Sequence, residues 1–345
     1  MSDAQVAARI ERRPMLKGCY EGRVDKVQPD RPRYGEAMAP ADPWPAILYE
    51  EWRETLDTLH AHTQVLGKLA AELAPPEPQL QHAALRLTAR GWETAPLPAP
   101  DGSGAFVVAL DLHAHEALAE HNDGRRRTVP LTPDRPVGEV TRGLLAAVGE
   151  IAGPVEIDPT PQEVSWSVPL DEDAEHASYD TDQIASYFAA AGQAALVLSA
   201  FRAPYRGRST SVHAWWGSFD LAVSLFSGAA AEPPSDDFIM RNSMDSQEVA
   251  VGWWPGETRY PRAAFYAYAH PAPEGFREAS LSAPAARWDA DLGLYLLDWD
   301  DVRASEDPRG LALSFARSAF QHACLVCGWE ESLAASAEGT PPPVK

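Results

Sequence analysis

The sequence predicts an α+β protein in which antiparallel β-sheets are flanked by helices. Three observations lead there. Two long helical stretches are each followed by short β-like runs; turn residues separate those runs at hairpin distances; and the regular strand–helix alternation of a parallel sheet is missing. With 345 residues, 45% of them apolar, the chain can bury one large core or two modest ones.

Residues 1–43 mix Arg, Pro and Asp without lasting periodicity and read as an extended arm. A helix follows over residues 49–73, where Trp52, Leu56, Leu59, Thr63, Leu66, Ala70 and Leu73 recur at steps of three and four, and Pro75-Pro76 stops it. Strands are predicted over 84–89, 105–112 and 127–131, with Asn122-Asp123-Gly124 as a hairpin turn. A helix over 137–151 closes this half, and a Pro-rich extended stretch, 153–169, leads out of it.

The second half begins with a helix over 181–201, with Asp180 and Gln183 placed as a capping pair. Strands are predicted over 211–216, 219–226, 248–253, 265–270 and 294–299, and a last helix runs from 308 to 326, before Gly328. Residues 331–345, with three prolines at 341–343, read as a disordered tail. The spans 44–153 and 154–330 therefore both read helix, meander, helix. That repetition predicts two pseudo-symmetric halves packed together, with a groove between them as a natural ligand site; chance recurrence of a common motif is the alternative.

Composition narrows the function. A formal charge of −21 repels phosphate backbones and anionic membranes, so neither nucleic acid nor a membrane is an expected partner. The one basic run, Arg125 to Arg127, reads as a solvated hairpin end. Three cysteines, no signal-like N-terminus and no apolar run of spanning length predict a cytoplasmic protein. No Gly-rich dinucleotide fingerprint, phosphate loop or Gly-x-Ser-x-Gly elbow is present, so no nucleotide cofactor is expected. The expected partner is a small-molecule ligand, and a homo-oligomer is compatible with the composition.

From Trp215 to Ala222 the sequence resembles a bacterial family known as domain of unknown function 5996. Trp44-Pro45 with Tyr49-Glu-Glu-Trp52, Thr63-Gln-Val-Leu-Gly-Lys68, His176-Ala-Ser-Tyr-Asp180, Gly252-Trp-Trp-Pro-Gly256 and residues 265–276 carry the rest of the likeness, which covers about 44–329. The chain departs from the family pattern at Gln79-Leu-Gln-His82, where aromatic residues are expected. The resemblance implies no reaction.

The candidate site is therefore read from the residues themselves. His213, Trp215, Trp216, Ser218 and Asp220 put an aspartate among tryptophans, where burial raises a carboxyl pKa toward that of a general acid or base. Alternation along a strand would place His213 and Trp215 on one face and Trp216, Ser218 and Asp220 on the other. His60, Gln64 and Lys68 share one helix face, suited to moving a proton and holding an anion. Tyr266, Tyr268 and His270 alternate along a strand, and Glu248, Trp253 and Trp254 lie on another. His176 and Tyr179 precede a helix.

The sequence points first to an enzyme performing acid/base chemistry on a small organic molecule. His213, Asp220, His60, Lys68 and His176 would be catalytic, in a groove walled by Trp215, Trp216, Trp253 and Trp254. The rival is a non-catalytic module binding a ligand or a protein through a tryptophan-rich surface. Each residue also has a plain structural reading, as turn, cap, helix flank or cross-strand ladder. Asp111-Leu-His113-Ala-His115, read as two strand histidines on one surface face, and His322-Ala-Cys324-Leu-Val-Cys327, read as buried apolar cysteines, lack a full metal-ligand set.

Overall fold

The computed structural model describes residues 42–336. The expected arm at 1–43 lies outside the described residues up to 41, and the expected tail lies outside them from 337 onward.

Helix α1, Tyr49–Leu73, buries the predicted stripe: Trp52, Leu56, Leu59, Thr63, Leu66 and Ala70 all face the interior. After a 3-10 turn at Pro78–Ala83 comes the first sheet. Its strands are β1 (Arg86–Leu87), β2 (Gly91–Glu93), β3 (Leu97–Pro98), β4 (Ala105–Asp111), β5 (Glu116–His121) and β6 (Arg126–Pro130), in the order β1-β2-β4-β5-β6 with β3 also on β4. Helix α2, Val137–Ala152, packs across β5 and β6.

Helix α3, Thr181–Arg202, opens the second half, and Asp180 caps it by accepting from the backbone of Asp182 and Gln183. The second sheet holds β7 (His213–Trp215), β8 (Asp220–Ala230), β9 (Ser246–Trp254), β10 (Ala264–His270), β11 (Arg287–Asp289) and β12 (Leu294–Asp298), in the order β11-β12-β10-β9-β8-β7. The short α4, Phe238–Ser243, lies between β8 and β9, and α5, Trp299–Arg303, follows β12. Helix α6, Pro308–Cys327, packs on α3 and β10, and α7 is Glu331–Ser336.

Every strand pairing is antiparallel. The sheets meet at one seam, where Leu85 and Ala214 exchange backbone hydrogen bonds of 3.0 and 2.9 Å. Each meander thus presents its first strand to the other. One face of both sheets, with all the long helices, builds a single core in which the Trp92 indole of the first half donates to the Tyr187 hydroxyl of the second.

The structure corrects several expectations. Strands β2, β3, β5 and β11 were not legible. Strand β5 is the instructive one, because Glu116-Ala-Leu-Ala-Glu-His121 is built of helix-favouring residues that pairing on both sides forces into a strand. His113 and His115 sit in the turn before β5, not along a strand, and His115 bonds to the Tyr179 hydroxyl at 3.2 Å. Residues 331–336 form α7 where a tail was expected. Cys324 is buried as expected, but Cys327 is half-exposed. Finally, where no apolar run of spanning length was expected, α3 is long and apolar enough to cross a membrane by length and composition; here it packs against α6 and β8.

Candidate functional site

The outer face of the second sheet, turned away from the common core, collects many of the expected site residues. Cross-strand register aligns His213, Ala222, Gly252 and Tyr266 in one row. Trp215 and Asp220 face each other one step along, and Ser224, Ala250 and Tyr268 form the next row on the other side. Ala222, Ala250, Gly252 and Ala264 give this face a floor of small residues. Gly252 is required there, because a Cβ would fall 2.2 Å from the Tyr266 ring.

Over that floor Trp254 stacks on Tyr266 at 4.9 Å, and the Tyr266 and Tyr268 rings lie nearly parallel at 6.3 Å. Each tyrosine hydroxyl donates to a carboxylate: Tyr266 to Asp220, Tyr268 to Glu248 at 3.3 Å, and Tyr260 to Asp298. Ser218 adds a second donor to Asp220 at 2.5 Å.

The three pairs differ in their counter-ions. Arg287 and Arg262 bind Asp298 at 3.0 and 3.2 Å. Burial raises the Asp298 carboxyl, but the Tyr260 hydrogen bond and then these two arginines together outweigh it and hold the group below its usual value. Among the described residues no such cation acts on Asp220, and burial pushes its carboxyl up despite the donors from Ser218 and Tyr266. Burial likewise pushes Glu248 up to about 7, with Arg208 and hydrogen bonds from Ser224 and Tyr268 only partly opposing it. The phenols of Tyr266 and Tyr268 are raised well above their ordinary range by burial and then by these same carboxylates. Burial therefore makes both carboxyl groups on this face hold a proton to higher pH than an exposed carboxyl does.

A tight turn presents Ser218 and Asp220. The turn falls between the two strands predicted over 211–216 and 219–226, and it undoes the face assignment expected from simple alternation: Trp216 and Asp220 do not share a face, while Trp215 and Asp220 do, across the hairpin. Trp216 presses on Gly67 of α1 and donates its indole N–H to the Ala83 carbonyl at 2.9 Å. Phe219 adopts a left-handed φ of 54°, unusual for a bulky residue, while its ring stacks on Trp92 of the first sheet at 5.0 Å. His60 fixes the same turn: its Nε2 lies 2.9 Å from the carbonyls of both Trp216 and Gly217, so this nitrogen carries the proton and donates. Burial lowers the His60 pKa to about 4 and keeps the ring neutral. Lys68 lies 5.6 Å over the Trp216 ring, its pKa lowered by burial against the pull of Asp158. His60, Lys68 and Trp216 thus stand behind the turn and position it.

Gln64 brings in a residue that sequence reasoning missed. Its amide donates to the Gln162 carbonyl and accepts from the Gln162 backbone, both at 2.9 Å. That clamp holds Glu163 at a left-handed φ of 58° and sets its carboxyl against Gly217, where a Cβ would fall 2.1 Å from Oε2. Much of Glu163 is open to solvent, but its carboxyl is desolvated and lies near Asp220 and Asp237. Burial first, then these two charges, push it up to about 7. Glu163 lies in an aperiodic Pro-rich stretch, so no pattern in the sequence could have flagged it.

The remaining expected residues lie apart from this face. Trp253 points into the core, edge-on to Trp299 at 5.6 Å. His176 is tied to Asp173 at 2.7 Å, and this hydrogen bond raises its pKa; the same segment caps the start of α2 through the carbonyls of Asp173 and His176. Tyr179 is buried beside His115.

The family model decides the relationship. The chain belongs to the family of unknown function DUF5996. The match runs over residues 44–336 and so takes in both sheets and every group described above. No curated protein and no solved structure matches the chain. In this DUF5996 protein all eleven tryptophans fall within the described residues and none is exposed. Trp215 and Trp254, both half-buried, are the two on the acidic outer face. Among the described residues no group of three or more His, Cys, Asp or Glu has the geometry to hold a metal ion. A shallow hollow of about 440 Å³ beside Glu50, Arg53, Glu54 and Asp180 has no aromatic wall and lies at the start of α1, away from these carboxyls.

Proposed function

We propose that this protein binds a small organic molecule on the outer face of its second sheet and exchanges a proton with it. Asp220 and Glu248 carry the proton, Tyr266 and Tyr268 relay and orient it, and Trp215 and Trp254 flank the organic part. The observation that carries this reading is a pair of carboxyl groups, 5% and 4% exposed, that are hydrogen-bonded to tyrosines without a dedicated ion-pair partner. A general acid or base near neutrality needs such an environment, because burial brings a carboxyl pKa toward the working pH. The anchored turn supports the reading, since a proton donor works only when held in place. His60 and Lys68 enter as positioning groups, and Glu163 as a third carboxyl over the turn.

Dicyclohexylcarbodiimide tests this directly, because it is an apolar small molecule that adds to protonated carboxyls. Peptide mapping after treatment at pH 6.5 should find adducts at Asp220 or Glu248, in excess over Glu116 and Glu120 of the first sheet. Labelling of those residues should fall at least tenfold by pH 8.5. Equal labelling of all four residues, or none at Asp220 and Glu248, would refute the reading.

A further inference from the structure

The outer face repeats one motif three times, and the middle copy lacks a part. At one end the Arg287 guanidinium lies 5.7 Å over the Tyr260 ring and binds Asp298. At the other, Arg208 lies 3.8 Å over the Phe226 ring and attracts Glu248. Each end therefore joins an aromatic ring, a carboxylate and a cation. The middle has the rings of Trp254, Tyr266 and Trp215 and the Asp220 carboxylate, but no cation acts on Asp220 among the described residues.

A second observation marks the same place. His213 is 8% exposed and stands edge-on to Trp215 at 5.3 Å, directly across from Ala222. Its Nδ1 is buried and has no hydrogen-bond partner. An orphaned buried polar atom destabilises the empty site, so a ligand that satisfies it gains by doing so. Two cations do act on His213: Arg202 and Arg86. Arg202 is engaged with Ser209 and the Thr210 carbonyl, and neither arginine acts on Asp220. With burial, they hold the imidazole neutral, so one of its nitrogens can accept. Asp220 also has spare lone pairs after bonding Ser218 and Tyr266.

From this geometry we infer that the site takes a small organic amine, its ammonium group placed over Ala222 between Asp220 and His213 and its organic part against Trp215 and Trp254. An ammonium offers three donors and a charge that aromatic faces attract. A neutral alcohol offers one donor and no charge, and a carboxylate anion offers neither a donor for Asp220 and His213 nor a charge that aromatic faces attract. The inference rests on the acid–base reading for its location and adds the ligand class.

Calorimetric titration of the full chain at pH 8 with benzylammonium, benzyl alcohol and benzoate tests it. Benzylammonium should bind at least tenfold more tightly than either isostere, and Asp220→Asn should weaken it at least tenfold, while Glu120→Gln on the first sheet leaves it unchanged. The comparison of the three probes needs no variant, so a misfolded Asp220→Asn protein would not spoil it. Benzyl alcohol or benzoate binding as tightly as benzylammonium would overturn the amine assignment, as would no benzylammonium binding up to 10 mM (about the −3 kcal/mol level). If carbodiimide still labels Asp220 or Glu248, that failure would leave the acid–base reading standing.

Discussion

The two sheets share a meander plan and meet edge to edge, yet their outer faces follow opposite rules. On the first sheet Glu116 binds Arg126 and Glu120 binds Arg90, and these long side chains cover Ala109 and Leu118 beneath them. On the second sheet the corresponding surface carries stacked rings and two carboxyl groups whose pKa burial raises, with no ion pair to Asp220 among the described residues and only a partial pull from Arg208 on Glu248. Asp298 sharpens the contrast within one sheet: given two arginines, the same tyrosine–carboxylate unit stays ionised. The counter-ion decides whether a buried carboxyl is structural or available for proton transfer.

The largest expected effect that would break this comparison is at Glu248. Its folded pKa of about 7 lies above the ordinary 4.5. The folded state keeps a proton that the unfolded chain releases, so folding is not penalised below about pH 4.5 and loses stability as the pH rises through 7. Glu248→Gln removes that loss. It should stabilise the protein by up to about 3 kcal/mol at pH 8 and by almost nothing at pH 4, measured by urea unfolding at both. An equal effect at the two pH values would mean that Glu248 is not protonated in the fold.

The smallest effect belongs to the same substitution on the first sheet. Glu120→Gln breaks a solvent-exposed pair at 3.5 Å and should cost less than about 0.5 kcal/mol at either pH. A cost rivalling the Glu248 effect would show that the two faces are not distinct in kind.

Much of this was legible in the sequence, for identifiable reasons. The long helices α1, α2, α3 and α6 were readable because each has a stripe, cap or breaker in its own residues, as with Pro75-Pro76 after α1 and Asp180 before α3. Asp220, Glu248, Tyr266 and Tyr268 stood out because they interrupt apolar strands. Their grouping depends on register, which the sequence does not show: a strand drawn straight through Asp220 would have paired it with Trp216 instead of Trp215. Trp253 and Trp254 illustrate the same limit, since adjacent strand residues face opposite sides and nothing local says which side is core. Glu163 was hidden because its place is set by the clamp between Gln64 and its neighbour Gln162, 98 positions apart in the chain.

The most direct test of the central claim is a carbon-13 NMR titration of the side-chain carboxyls in the intact protein, assigned with Glu248→Gln and Asp298→Asn. The account predicts a Glu248 midpoint near 7 and an Asp298 midpoint below the ordinary aspartate value on the same sheet face. If both carboxyls titrated below 5, the second sheet would be as ordinary as the first and the proton-exchange site would not exist.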